Sequence, residues 1–240
     1  MAPAPKYSAE QQEEMILSSA AQAIEETSLL DFSMSSVAKL AGLSMGSVYK
    51  FVQCKEDVLI ALATQMFQEK QRVFKQVLAL PLTTPERLIA ISLLDFSKVQ
   101  MFSFDDQLES IVNTRAIMKR SSRRWLEHMI NSSKVCELAF KSFFEAAAQS
   151  GELTSTEAEL EEISVGSWSM IVGYFQTVRL HLSWNSEQEL ENIDKLMPLT
   201  TTNVHIRNLM RFINSFQWQQ KLTEQDIEKI GQYLVSEGMR

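Results

Sequence analysis

Only seven glycines and five prolines are spread through the 240 residues, and that scarcity is the strongest constraint on the fold. These two residues most often end helices and make tight turns, so a chain with few of them has few turns and long elements. The apolar residues recur at helical spacing, and no alternating run is long enough to argue a sheet. An all-α protein is therefore predicted. The length suits one small domain and one larger one. No apolar run reaches the roughly 18 residues of a membrane span. The opening MAPAPKYSAEQQEE has no apolar signal core, so the expectation is a cytoplasmic protein with no membrane partner. Cys54 and Cys136 stand far apart, with no CxxC and no neighbouring histidine. They read as free thiols, and neither a metal nor a cofactor is expected.

Along the chain, residues 1–7 read as a loose tail. Ser8 opens a helix with Ile16, Ala20, Ala23 and Ile24 on one face, fading at Thr27–Asp31. Ser33 is placed to cap a short helix through Ala41, which Gly42 can end in the left-handed conformation. Ser44 caps a second short helix to about Phe51. Two short helices joined by a three- or four-residue turn containing glycine form a helix-turn-helix signature. A long helix follows from about Cys54, with Val58, Leu59, Leu62, Met66 and Phe67 as its stripe, and ends before Pro81. Further helices are expected from Pro85 to about Met101, Asp105 to Lys119, Ser121 or Ser122 to Gly151, Thr156 to Trp184, Val204 to Gln219, and from Thr223 to near Gly238.

The run from Ser33 to Leu59 carries more than helix boundaries. Val37–Ala38, Ala41–Gly42–Leu43–Ser44, Gly46, Tyr49, Phe51 and Lys55–Leu59 resemble the DNA-binding signature of the TetR family of transcriptional regulators. That resemblance implies an N-terminal three-helix helix-turn-helix domain over residues 1–55. A connecting helix over 55–80 and a helical sensor and dimerisation domain over 81–240 would follow. The partners implied are double-stranded operator DNA, a second copy of the chain and a small-molecule effector. The expected DNA contacts are Ser33, Ser35, Ser44, Met45, Gly46, Ser47, Tyr49, Lys50 and Lys55. The helix from Ser44 would enter the major groove. Its serines and Lys50 would meet bases or phosphates, Met45 a thymine methyl, Tyr49 a phosphate. Lys55 would hold phosphate at a helix N-terminus. The formal charge of −7 is the wrong sign for DNA overall, so local contacts must supply the affinity. Residues 1–55 hold four lysines and six carboxylates and no arginine.

The second half has no motif of comparable specificity. Phe102, Phe104, Trp125, Met129, Cys136, Phe140, Trp168 and Phe175 are candidates for a pocket taking a bulky apolar ligand. The competing reading is that these stripes, Leu182 included, are core. Trp168, Ile171, Val172, Ile206, Leu209 and Ile213 lie on helices apolar beyond one stripe, which need a second partner. The TetR resemblance assigns that partner to the second subunit. Arg115, Lys119, Arg120, Arg123 and Arg124 form a basic cluster, either solvated surface or an anion site. His128, His181 and His205 read as surface or packing residues. No nucleophile–base arrangement stands out, so the chain is read as a regulator rather than an enzyme. An all-α enzyme or carrier is the remote alternative, and a regulator answering to a protein partner the nearer one.

Overall fold

Polar side chains at the helix starts define much of the local structure of the computed structural model, which describes residues 7–98, 100–185 and 197–240, with backbone alone for 179–185. Residues 1–6 of the expected tail, and the side chains of His181 and Leu182, lie outside the described residues. Ser8 opens α1 (Ala9–Glu26) by a reciprocal pair of bonds with Gln11. Ser33 does the same with Ser36 for α2 (Met34–Ala41), and Ser44 caps α3 (Met45–Phe51). Each cap supplies an acceptor to an N–H that the helix itself cannot satisfy. Gly42 ends α2 at φ +63°, a conformation with little steric cost only for a residue without Cβ. The long α4 (Lys55–Leu78) follows.

Helix α5 (Thr84–Leu93) starts on a Thr83–Glu86 capping pair with Pro85 in its first turn. The Glu152 carboxylate also accepts from the Thr84 backbone N–H and hydroxyl. The helix stops at Leu93, well short of the expected Met101. The Leu93 carbonyl is taken by the Arg240 guanidinium, and the Asp95 N–H donates to the Met239 carbonyl. Thus the chain terminus replaces the next helical turn. The expected helix from Asp105 to Lys119 is two, α6 (Asp105–Val112) and α7 (Arg115–Arg120). At the break the Asn113 amide donates to the Glu109 carbonyl and the Thr114 hydroxyl to that of Ile111, side chains competing with the helical ladder.

Helices α8 (Arg123–Gln149) and α9 (Glu157–Asn185) are long, as expected. Helix α10 (Val204–Asn214) ends before the expected Gln219. Gln217–Trp218 instead form β2, paired antiparallel with β1 (Leu153–Thr154). The Asn214 side chain closes the corner by accepting from the Leu222 N–H and donating to its carbonyl. Thr223 and Asp226 then cap α11 (Glu224–Ser236).

The chain forms two compact units. The first comprises residues 1–69 and 100–135, the second residues 70–99 and 136–240. The first core gathers Ile16, Phe32, Val37, Val48, Leu62 and Met66 with Leu108, Val112, Trp125 and Met129. The second gathers Val77, Leu88, Ile91, Phe144, Ile163, Ile206, Leu209, Ile213 and Leu234. In the second unit α11 and α10 both pack on α5, and α10 packs on α9. That last approach is close at Gly166, where a Cβ would lie 2.3 Å from the tip of the Phe212 ring. Among the described residues no helix is long and apolar enough to cross a membrane.

Candidate nucleic-acid interface

Helix α3 is held to the first unit by one face only. Val48 is fully buried, while Ser44, Met45, Gly46, Tyr49 and Lys50 are exposed and Ser47 is half-buried. The helix therefore spends few of its seven residues on packing and presents the rest outward. A Cβ at Gly46 would meet only the Ser44 hydroxyl, at 3.8 Å, so the first turn of α3 has a flat outer surface. The two hydroxyls there are already engaged with each other, Ser44 and Ser47 lying 3.0 Å apart. On α2, Ser33 and Ser35 are exposed and their hydroxyls are 2.9 Å apart.

Lys55, the first residue of α4, is not a free cation. Its ammonium donates to the Leu30 carbonyl at 2.7 Å and lies 4.6 Å from the centre of the Phe32 ring. Two N–H bonds remain for another acceptor. Lys39 and Lys50 are exposed without an ion pair among the described residues.

The sequence did not reveal how the end of α3 is fixed. Asp57, fully buried, accepts from the Gln53 N–H at 2.9 Å and the Ser122 N–H at 2.6 Å. The Trp125 indole N–H donates to the carbonyl of Phe51, the last residue of α3, at 2.9 Å. The Cys54 thiol donates to the Arg120 carbonyl, and the Arg120 guanidinium pairs with Glu56 at 3.3 Å. Burial pushes the Cys54 thiol up to about 11, so it stays protonated and unreactive at neutral pH. The start of α8, some seventy residues downstream, is thereby bonded to the corner between α3 and α4. The only sequence signal was an acid in the third position of α4, whose partner is too distant to read.

The eight residues expected to line a pocket divide between the units. Phe102 and Phe104 stack on each other at 5.1 Å in the first unit. Trp125 and Met129 are buried in its core. Trp125 is packed there and bonded to Phe51. Cys136, Phe140, Trp168 and Phe175 belong to the second unit. There Phe140, Trp168 and Phe74 form a cluster of edge contacts, and Phe175 packs on Phe96.

The residues expected at a subunit interface are also placed unevenly. Ile206, Leu209 and Ile213 have no exposed surface, and Ile171 is buried. Their apolar faces are used up inside the second unit, so they cannot reach a second chain. Val172 is half-buried and Trp168 exposed. Between α9 and α10 lies a groove of about 730 Å³, lined by Val165, Gly166, Phe212 and Phe216 together with Glu159, Glu161 and Glu162.

No family model and no curated protein matches this chain. Solved structures do. GusR from Salmonella enterica is 17% identical, with a TM-score of 0.53 over 88% of this chain and 97% of that one. The transcriptional regulator FadR from Bacillus subtilis, solved with stearoyl-CoA, is 18% identical with a TM-score of 0.51, over 78% of this chain and 98% of that one. The reduced form of NemR from E. coli is 14% identical with a TM-score of 0.50, over 82% and 96%. The chain thus has the all-helical fold of TetR-type regulators, with an N-terminal helix-turn-helix.

Proposed function

We propose that the chain is a TetR-type transcriptional regulator, not an enzyme, which binds operator DNA in the cytoplasm as a homodimeric repressor and is released by a small, largely apolar effector. The observation that carries this reading is α3. It is a capped helix behind a left-handed glycine turn, with Met45, Gly46, Tyr49 and Lys50 turned to solvent. A helix so placed in a helix-turn-helix lies in the major groove with its first residues at base edges. Gly46 lets the backbone approach, Met45 offers its thioether and methyl to a thymine methyl, and Tyr49 and Lys50 reach phosphate or base acceptors. Lys55, steadied by Leu30 and Phe32, presents its remaining N–H bonds to a phosphate beside the start of α4.

A single helix with so few cations needs a second half-site, which a dimer supplies about one DNA turn away, roughly 34–36 Å. Exposed Val165 and Trp168 on α9 and the groove beside Phe212 support a two-fold contact through these helices. The effector is assigned to the second unit, where Phe140, Met170, Tyr174 and Phe175 are half-buried around the core. Helices α4 and α8 each have residues in both units and would carry the signal.

The test is binding to the DNA upstream of the chain's own gene against a shuffled duplex of equal length, at two salt concentrations. Preference for the native duplex, lost in Tyr49→Ala and Lys50→Ala with helical content unchanged, is expected. Equal affinity for both duplexes would refute sequence-specific regulation.

A further inference from the structure

The helix-turn-helix is short of positive charge for a DNA-binding element. Its first 55 residues carry a net charge of −2, and Lys55 is drawn back against Leu30 and Phe32. The missing charge is found in the same unit but not in the same stretch of sequence. Residues 115–124 include Arg115, Lys119, Arg120, Arg123 and Arg124, and no carboxylate.

The structure places this segment at the corner of α3 and α4. Ser122 is bonded to Asp57, the Arg120 carbonyl to Cys54, the Arg120 side chain to Glu56, and Trp125 to Phe51. Glu56 adjoins Lys55, the residue proposed to hold phosphate. The Arg120–Glu56 pair thus sits on the first turn of α4, the turn that Lys55 opens. The Arg120 side chain is 74% exposed while that of Glu56 is only 16% exposed, so the guanidinium keeps N–H groups open to solvent for a phosphate beside the carboxylate it already holds. Lys119 and Arg115 are exposed, with no ion pair among the described residues. They stand four apart on α7, where like charges repel, an arrangement that disfavours the helix unless an anion lies against it. Arg123 is 91% exposed and, among the described residues, paired only with Glu127. Arg124 differs, because it lies over the Trp125 ring and against Glu13, and its role is packing.

We propose that Lys119 and Arg120, with Arg123 beside them, form a second phosphate-binding surface for duplex DNA, flanking the groove that α3 enters. This rests on the DNA-binding reading above. It makes the α7–α8 corner part of the DNA interface, so the protected stretch of duplex is longer than the helix-turn-helix alone would cover. Because these contacts are with phosphates, they carry no sequence preference and add to specific and non-specific binding alike.

The experiment measures the salt dependence of binding by fluorescence anisotropy, using a mixed-sequence duplex of about 30 base pairs, since phosphate contacts are sequence-independent. The proteins compared are the wild type, Lys119→Gln/Arg120→Gln, Lys55→Gln, and the charge-matched control Lys221→Gln/Lys229→Gln in the second unit. Each lost phosphate contact lowers the slope of log affinity against log salt by about 0.9. Loss of about 2 units per protomer in the Lys119/Arg120 variant, about 1 in Lys55→Gln and none in the control is expected. Lys119→Glu alone should weaken binding further than Lys119→Gln. Circular dichroism should show all variants folded, since Lys119, Arg120, Lys221 and Lys229 are exposed and half-buried Lys55 loses only its bond to the Leu30 carbonyl and its place over the Phe32 ring. An unchanged slope in the Lys119/Arg120 variant beside a reduced one in Lys55→Gln overturns this proposal and leaves the DNA-binding reading intact. An equal loss in the control also overturns it, as a general effect of net charge. A wild type with no salt-dependent binding overturns both.

Discussion

His205 lies against Tyr174, ring centres 4.6 Å apart, with its Nε2 buried and without a hydrogen-bond partner among the described residues. Burial lowers its pKa from 6.5 to about 4. A base whose folded pKa lies below its unfolded value binds fewer protons folded than unfolded between the two. Its contribution to stability is therefore complete above pH 6.5 and is lost as the pH falls toward 4. The loss across that window is on the order of 3 kcal/mol. His205→Phe keeps a ring for Tyr174 and removes both the titration and the unsatisfied nitrogen. Urea melts of this variant should show a flatter pH dependence between 4 and 6.5 than the wild type, with stability at pH 7.5 equal or higher. A variant with the wild-type pH dependence would assign that dependence to other groups. Nothing in the sequence distinguishes His205 from His128, because burial is a property of the packed chain. The caps were different. Ser8, Ser33, Ser44 and Thr223 act on neighbours three residues away, so their roles were legible from local order alone.

Elements whose ends depend on distant groups were the ones misread. Helices α5 and α10 end early because Arg240 and the Leu222 backbone take over at their last turns, and no local pattern announces either partner. The same holds for the corner where α3, α4 and α8 meet. Asp57 satisfies two backbone N–H groups there, one four residues away and one 65 residues away. Asp57→Ala leaves both without that acceptor at a cost of about 1–3 kcal/mol each. Loss of about 2–6 kcal/mol of stability is expected by urea denaturation, with Asp57→Asn, which keeps one acceptor oxygen, near half of that. Trp125→Phe removes the bond to Phe51 and should cost about 1–2 kcal/mol. It should also weaken DNA binding, because Phe51 is the last residue of α3. An Asp57→Ala protein as stable as the wild type would show that water replaces the carboxylate and that the corner is not held by it.

At the scale of the whole molecule, the fold class and the helix-turn-helix were legible because they rest on periodicity and capping. The surface left for a second copy was not. Helical periodicity shows which side of a helix is apolar, but not whether that side is filled by the chain's own elements or by another chain. Ile213 and Val165 make the distinction experimental. Both are β-branched apolar residues on the helices proposed to dimerise, yet Ile213 is wholly buried within the protomer and Val165 is 59% exposed. Ile213→Asp places an unpaired charge in the core, a class of change that unfolds marginal proteins. It should lose helical signal or precipitate. Val165→Glu leaves the protomer's core untouched, but two-fold symmetry brings the new charge into the interface twice, beside Glu161 and Glu162. That variant should remain helical and sediment as a monomer at micromolar concentration, where the wild type sediments as a dimer. Its DNA binding should fall steeply, since each monomer can reach only one half-site. A Val165→Glu protein that stays dimeric would move the interface off this face of α9, and a monomeric wild type would remove the homodimer from the mechanism altogether.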